Sequence, residues 1–369
     1  MPVPKSGENP ETARGLRVVA IGGGTGLSTL LKGLKEYVPA PGAIPGQGPY
    51  IAELSAIVTV TDDGGSSGRL RKEFNILPPG DIRNCMVAVA EDEALLSKLF
   101  QYRFPGGSGT GLEGHSFGNL FLTAMAAVTG DFAEAVKLSA GVLASRGHIY
   151  PATTSNVQLD ALMVDGSRVQ GETKITASRG RIAELRMVPA DAEPIPEAIA
   201  AIERADLITV GPGSLFTSLA TNMLVRAIPE AIAGSRAVKV FVCNLMTQAN
   251  ESLGLTAAEH IKAIYKHARQ QIFAFALINR APLSPHLKAK YALEGASQTV
   301  CDAAAIEELG VRVVAGDFLE EGPVARHATG RVAQALLNLA CGVPVVTEPK
   351  SPGQGETSGA VRDRVNIGG

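Results

Sequence analysis

Small, polar, glycine-rich segments recur along this chain, each directly behind a short apolar run. The first is Gly22-Gly23-Gly24-Thr25-Gly26, after the run 16–21. Glycines let a backbone approach a ligand closely and take positive φ. A helix beginning just behind them offers free N–H groups and the positive end of its dipole, which suits a phosphate. The spacing matches neither common phosphate signature. A Gly-x-Gly-x-x-Gly reading fails because its last position falls on Leu27 or Thr29, and no Gly-Lys-Ser/Thr is present for a P-loop. Gly23, Gly24, Thr25 and Gly26 are therefore expected to hold a phosphate by backbone geometry.

The second segment is Thr61-Asp62-Asp63-Gly64-Gly65-Ser66-Ser67-Gly68-Arg69, behind the run 54–60. Paired aspartates at a strand end either accept ribose hydroxyls or hold Mg²⁺ through one or two carboxylates. Gly64, Ser67 and Arg69 add donors and a cation for an anion. A third carboxylate, Asp81 in Pro79-Gly80-Asp81-Ile82-Arg83-Asn84, reads as a helix N-cap. It also fits a metal or proton-transfer role beside Asp62 and Asp63, with Asn84 nearby. His115-Ser116-Phe117-Gly118-Asn119 opens a very apolar stretch in which Asn119 must find a partner, in the core or on a ligand. Gly211-Pro212-Gly213-Ser214 follows the run 206–210 and opens a helical pattern, a second anion site by the dipole argument. Two such sites fit a diphosphate, or a phosphate and a second substrate. Asn244, Thr247 and Gln248 behind the run 238–243 offer groups able to read a base or a sugar.

These segments need a frame that brings strand ends together. Apolar runs at 16–21, 54–60, 206–210, 238–242, 272–278 and 311–314 alternate with helical patterns at 27–37, 82–90, 95–100, 117–128, 132–143, 215–228, 257–270 and 330–341. Fully apolar, β-branched strands alternating with helices predict an α/β fold, a mainly parallel sheet covered on both faces. Right-handed crossovers then gather the loops behind the strands along one edge. Residues 149–187 alternate in polarity and carry turn signals at Asp165-Gly166 and Arg179-Gly180, which predicts a β-rich insertion of hairpin character. Residues 1–15 and 347–369 are rich in chain breakers and expected to be disordered, leaving one domain over 16–346.

Composition narrows the function. The chain has 369 residues, 45% hydrophobic and 19% charged, with a formal net charge of −2. Such a balance speaks for a globular protein and against a nucleic-acid partner. No run has the roughly 20 apolar residues of a membrane span, and the N-terminus lacks the apolar core of a signal peptide. A cytoplasmic protein is expected. Its four cysteines (Cys85, Cys243, Cys301, Cys341) form no Cys-x-x-Cys pair and read as reduced, packed thiols. The six histidines lack zinc spacing and read as surface or capping residues. No Ser/His/Asp or Cys/His arrangement stands out. An apolar chain of this size is expected to form a homo-oligomer.

Six segments together resemble one family. VVAIGGGTGLSTLLKGL (18–34), TVTDDGGSSGRLR (59–71), PPGDIRNC (78–85), HSFGNLFLTA (115–124), GPGSLFTSL (211–219) and CNLMTQ (243–248) are similar, in order, to the YvcK-like gluconeogenesis factors of the CofD-like superfamily. The resemblance implies a Rossmann-like three-layer α/β/α fold. It implies binding of a UDP-sugar, UDP-N-acetylglucosamine or UDP-glucose, and a role in cell shape and peptidoglycan supply during gluconeogenic growth, with cell-wall synthesis proteins as partners. The enzymatic branch, 2-phospho-lactate transferase, uses a guanosine diphosphate carrier and Mg²⁺. That branch implies the alternative of a Mg²⁺-dependent transferase with Asp62, Asp63 and Asp81 as metal ligands. For the YvcK-like members no turnover is implied. Arg326-His327 resembles the family's Arg-His pair, with Arg326 facing a diphosphate. Where the family commonly has an aromatic that stacks on ligand, this chain has Leu255.

Overall fold

The computed structural model describes residues 15–43, 48–91, 95–107, 109, 111–178, 180–249 and 251–345. The terminal segments expected to be disordered lie outside the described residues, Gly15 excepted.

Seven strands form the central sheet: β1 (Leu16–Gly22), β2 (Ile51–Val58), β3 (His148–Pro151), β7 (Leu207–Val210), β8 (Val238–Val242), β9 (Phe275–Asn279) and β10 (Arg312–Gly316). All neighbours pair in parallel, in the order β10-β9-β8-β7-β1-β2-β3. β1 and β7 are buried along almost their whole length, as strands covered on both faces must be. The chain steps outward from β1 to β2 and β3, then returns to the other side of β1 and steps outward again through β7 to β10. The strand order therefore reverses between β1 and β7. A doubly wound sheet opens a crevice at such a point, beyond the carboxyl ends of the two strands.

Helix α1 (Gly24–Lys35) follows β1 without an intervening loop, so most of the glycine segment is its first turn. Leu27, Leu30, Leu31 and Leu34 recur at helical spacing and are buried. Helix α2 (Gly65–Phe74) likewise absorbs half of the Asp-Asp-Gly-Gly segment, and α3 (Gly80–Val89) follows it. The helix Phe117–Thr129 starts at Ser116, whose hydroxyl accepts from the Asn119 amide.

The stretch 149–187 divides in two. Its first strand, β3, joins the main sheet beside β2. The remainder is a separate antiparallel sheet of β4 (Gln158–Met163), β5 (Arg168–Gln170) and β6 (Ile182–Val188), with the short helix Glu172–Ala177 between β5 and β6. A two-stranded hairpin, β11 (Leu319–Glu321) and β12 (Ala325–His327), follows β10.

One predicted helix is not continuous. Residues 215–228 carry one helical pattern, but the helix stops at Asn222, and its Leu215–Ala220 part is a π turn in which the Leu219 amide reaches the Ser214 carbonyl. The chain then turns, passes Ala227 at φ 62°, and restarts as the helix Ile228–Gly234. π turns interrupt helices mostly at functional sites.

Candidate functional site

The crevice between β1 and β7 is a cleft of about 560 Å³. Its floor is made of the two glycine segments. They touch: a Cβ on Gly26 would lie 2.4 Å from the Pro212 carbonyl oxygen and 2.9 Å from the Gly213 Cα. Gly24 has φ +60°, a left-handed conformation that side chains resist. These two requirements explain why glycines stand there. The amino end of α1 and the amino end of the π turn thus face one space.

Side chains from the next loops hold this floor. Asn244 Oδ1 accepts from the Gly213 amide (3.1 Å) and its Nδ2 donates to the Gly213 carbonyl (2.7 Å). Gln248 Nε2 donates to Ser214 Oγ at 3.0 Å, while its Oε1 is buried without a partner. Glu251, a buried carboxylate, accepts from the amides of Phe216 (2.9 Å) and Thr217 (3.3 Å) and from Thr217 Oγ1 (2.6 Å). Burial raises the Glu251 carboxyl above its ordinary value, and these three donors oppose the shift. By occupying the first amides of the π turn it leaves the Ser214 end to the cleft.

Of the expected site residues, the structure brings Gly23, Gly24, Thr25, Gly26, Gly213, Ser214, Asn244, Thr247, Gln248 and Arg326 to the walls of this one cleft. Arg326 is exposed on β12 and Tyr291 and Glu294 line the same wall. His327 is half-buried, donates through Nε2 to the Cys243 carbonyl (3.1 Å), and is pushed down to about 4 by desolvation, so its ring is neutral at ordinary pH. Asn244 and Thr247 are committed to the protein: Thr247 Oγ1 bonds Ser297 at both its amide and its carbonyl. They position loops and are not free to read a base.

Several expected residues lie elsewhere. Asp63 Oδ1 accepts from the Thr173 amide (2.8 Å) and hydroxyl (2.6 Å) in the inserted module. Asn119 Nδ2 donates to Ser66 Oγ at 3.1 Å inside the protein, and Ser66 Oγ also meets His115 Nδ1 at 2.9 Å. Arg69 reaches the Glu113 carbonyl. Asn84 Oδ1 accepts from Arg83 (2.7 Å), in an adjoining groove that shares Thr25, Thr29, Arg326 and His327 with the cleft. Gly64 and Ser67 serve the turn into α2, where Asp62 Oδ1 accepts from the Gly64 amide at 2.9 Å. Gly211, at φ +88°, makes the turn behind β7. Leu255 packs on the hydrophobic core, so the aromatic at the cleft is Tyr291, which sequence reasoning missed. The histidines also differ from expectation. His115, His260 and His267 are buried and hydrogen-bonded. All four cysteines are free thiols.

Asp81 is not the N-cap of its own helix, which Pro79 precedes. It caps α1 instead, its carboxylate accepting from the Gly24 amide. Burial and the neighbouring Asp62 push Asp81 up to about 6, against that hydrogen bond. No group of three His, Cys, Asp or Glu side chains able to hold a metal occurs among the described residues. The expected Asp62-Asp63-Asp81 triad is not formed, because Asp63 faces the inserted module. Asp62 and Asp81 remain close enough to act on each other electrostatically, and two carboxylates are a donor set that fits Mg²⁺ when phosphate and water complete the shell.

A Rossmann-like crevice with paired glycine loops and a flanking carboxylate pair defines the class. The chain belongs to the CofD family: the model described as 2-phospho-L-lactate transferase CofD matches residues 18–319. Within it, the similar proteins are gluconeogenesis factors. That of Halalkalibacterium halodurans is 45% identical over 321 residues, covering 87% of this chain and 95% of its own. That of Bacillus subtilis is 42% identical over 324 residues, covering 88% and 98%. The crystal structure of a Bacillus halodurans member of the UPF0052 family superposes with a TM-score of 0.81 at 44% identity, over 88% of this chain and 99% of that one. No helix among the described residues is long and apolar enough to cross a membrane.

Proposed function

We propose that this chain is a cytoplasmic binding protein for a UDP-sugar of the UDP-N-acetylglucosamine or UDP-glucose type. In this reading it regulates cell shape, peptidoglycan supply and gluconeogenic growth without turning its ligand over. The observation that carries it is the contact of the two glycine segments at the β1–β7 crevice. Backbone amides from two helical starts then converge where a diphosphate would sit, with the Arg326 guanidinium at the rim to engage two oxygens. The nucleoside lies toward Tyr291, and the cleft volume falls within the range of small-molecule sites. The ligand state is read by cell-wall synthesis proteins, and the chain works as a homo-oligomer. Isothermal titration with UDP-N-acetylglucosamine tests the first step: saturable binding is expected, and no heat up to millimolar ligand overturns it.

A second reading is favoured by the Asp62–Asp81 pair. Two carboxylates and a bound diphosphate suit Mg²⁺, as a transferase moving a phosphorylated acid group from a nucleotide diphosphate carrier requires. Mg²⁺-dependent release of a nucleoside monophosphate on supplying a cofactor alcohol would establish it. An Asp62→Ala protein with unaltered ligand and metal binding would refute it.

A further inference from the structure

The inserted module does more than extend the fold. Its short helix Glu172–Ala177 reaches the cleft, which Thr176 lines. Ile175 anchors it in the hydrophobic core, and a polar latch fixes its start. Asp63 takes both the amide and the hydroxyl of Thr173, and its other oxygen sits where a Cβ on Gly171 would be, at 2.6 Å. Any side chain at Gly171 would break this seat. Asp63 belongs to the loop behind β2 and Thr173 to the module, so the fastening joins two units 110 residues apart in the chain.

The surface so presented has a definite chemistry. Thr176 Oγ1 donates its proton to Glu172 Oε1 (3.0 Å), which leaves the threonine oxygen as an acceptor toward the cleft. Asp62, Asp63 and Glu251 all act electrostatically on Glu172, and with burial they raise its carboxyl to about 7. Arg71, a cation on which Asp63 and Asp62 act, is bonded to Asn156 Oδ1 and to the Val157 carbonyl. A threonine acceptor backed by acids attracts hydroxyl and amide donors and disfavours a carboxylate in the same place.

We infer that the inserted module is the specificity wall of the cleft: latched by Asp63–Thr173, it presents Thr176, held by Glu172 behind it, to a neutral, hydroxyl-bearing group attached beyond the diphosphate. This rests on the nucleotide reading above and deepens it. The floor of the cleft holds the nucleoside diphosphate. The module selects what hangs from it, and selects a neutral sugar over an acidic one.

Titration calorimetry with UDP, UDP-glucose and UDP-glucuronic acid tests the inference on the full chain. Wild type should bind UDP-glucose more tightly than UDP, and UDP-glucuronic acid more weakly than UDP-glucose. Thr176→Val should lower the ratio of UDP-glucose to UDP affinity about tenfold, the scale of one hydrogen bond to a charged network. Thr173→Val should lower the same ratio by loosening the latch, with faster hydrogen exchange at the Thr173 amide. Glu172→Gln should narrow the gap between the neutral and the acidic sugar. UDP binding by each variant reports an intact floor. If wild type binds UDP but the ratios stay unchanged in all three variants, the inference is overturned while the nucleotide reading stands. If wild type binds none of the three, both are overturned.

Discussion

Asn244 grips Gly213 at both ends of its peptide unit, accepting from its amide and donating to its carbonyl. One side chain behind β8 thereby sets the plane of the loop behind β7. Asn244→Ala removes both bonds, which together contribute about 1–3 kcal/mol. We expect a loss of stability of that order in urea unfolding and at least a tenfold loss of UDP-sugar affinity by calorimetry. Asn244→Asp keeps the acceptor alone and should fall between.

The two glycines in the first turn of α1 should respond differently to alanine. At Gly26 the new methyl group meets backbone atoms of Pro212 that have no side-chain freedom to yield. Overpacking of this kind costs roughly 1–3 kcal/mol and drives the two loops apart, so nucleotide binding should be lost as well. At Gly24 the space is open and only the positive φ is resisted, at about 1–2 kcal/mol. Thermal unfolding with parallel titration separates the two. Equal loss of binding in both variants would contradict the packing argument.

Glu251 organises the π turn from inside the protein. Glu251→Ala strands two buried amides and one hydroxyl, and we expect a loss of about 2–3 kcal/mol. Glu251→Gln retains an acceptor and should recover part of it. Chemical unfolding of the two variants checks the order.

Asp81 and Glu172 make stability depend on pH in a stated direction. Their folded values, about 6 and about 7, lie above the ordinary carboxylate range. The folded protein therefore holds these protons more tightly than the unfolded chain. Their contribution is fully present below about pH 4 and is lost as pH rises through 6 to 7. Urea midpoints measured between pH 5 and pH 8 should fall with rising pH, other groups held equal. Asp81→Asn and Glu172→Gln should each flatten that slope, and a slope unchanged in both would count against the assigned environments.

Much of this arrangement is legible before any coordinates. Strand ends announce themselves through the switch from apolar to glycine-rich sequence, and the parallel sheet follows from strands buried on both faces. What residue types do not reveal is where a side chain turns. Asp62 and Asp63 are adjacent and chemically identical, yet in the irregular backbone beyond β2 one turns back onto the Gly64 amide and the other reaches Thr173. Asn119 and Thr247 carry ligand-like groups that the core consumes through Ser66 and Ser297. Glu251 and Tyr291 stand in segments without a glycine signature, and only the fold brings them to the cleft. The single helical pattern of 215–228 conceals the π turn because periodicity cannot register an amide diverted to a distant carboxylate.

The inserted sheet hangs from the chain between β3 and the helix preceding β7, outside the strand order that builds the crevice. It contributes no strand to the central sheet, and side chains of the surrounding frame hold it: Asp63 at Thr173, His267 at the Leu185 amide and Lys266 at the Ala183 carbonyl. Its loops can accordingly be rewritten while β1, β7 and their glycine segments remain untouched. The fold behaves as a fixed socket carrying an exchangeable cassette, so relatives with the same floor are free to diverge in the group they admit.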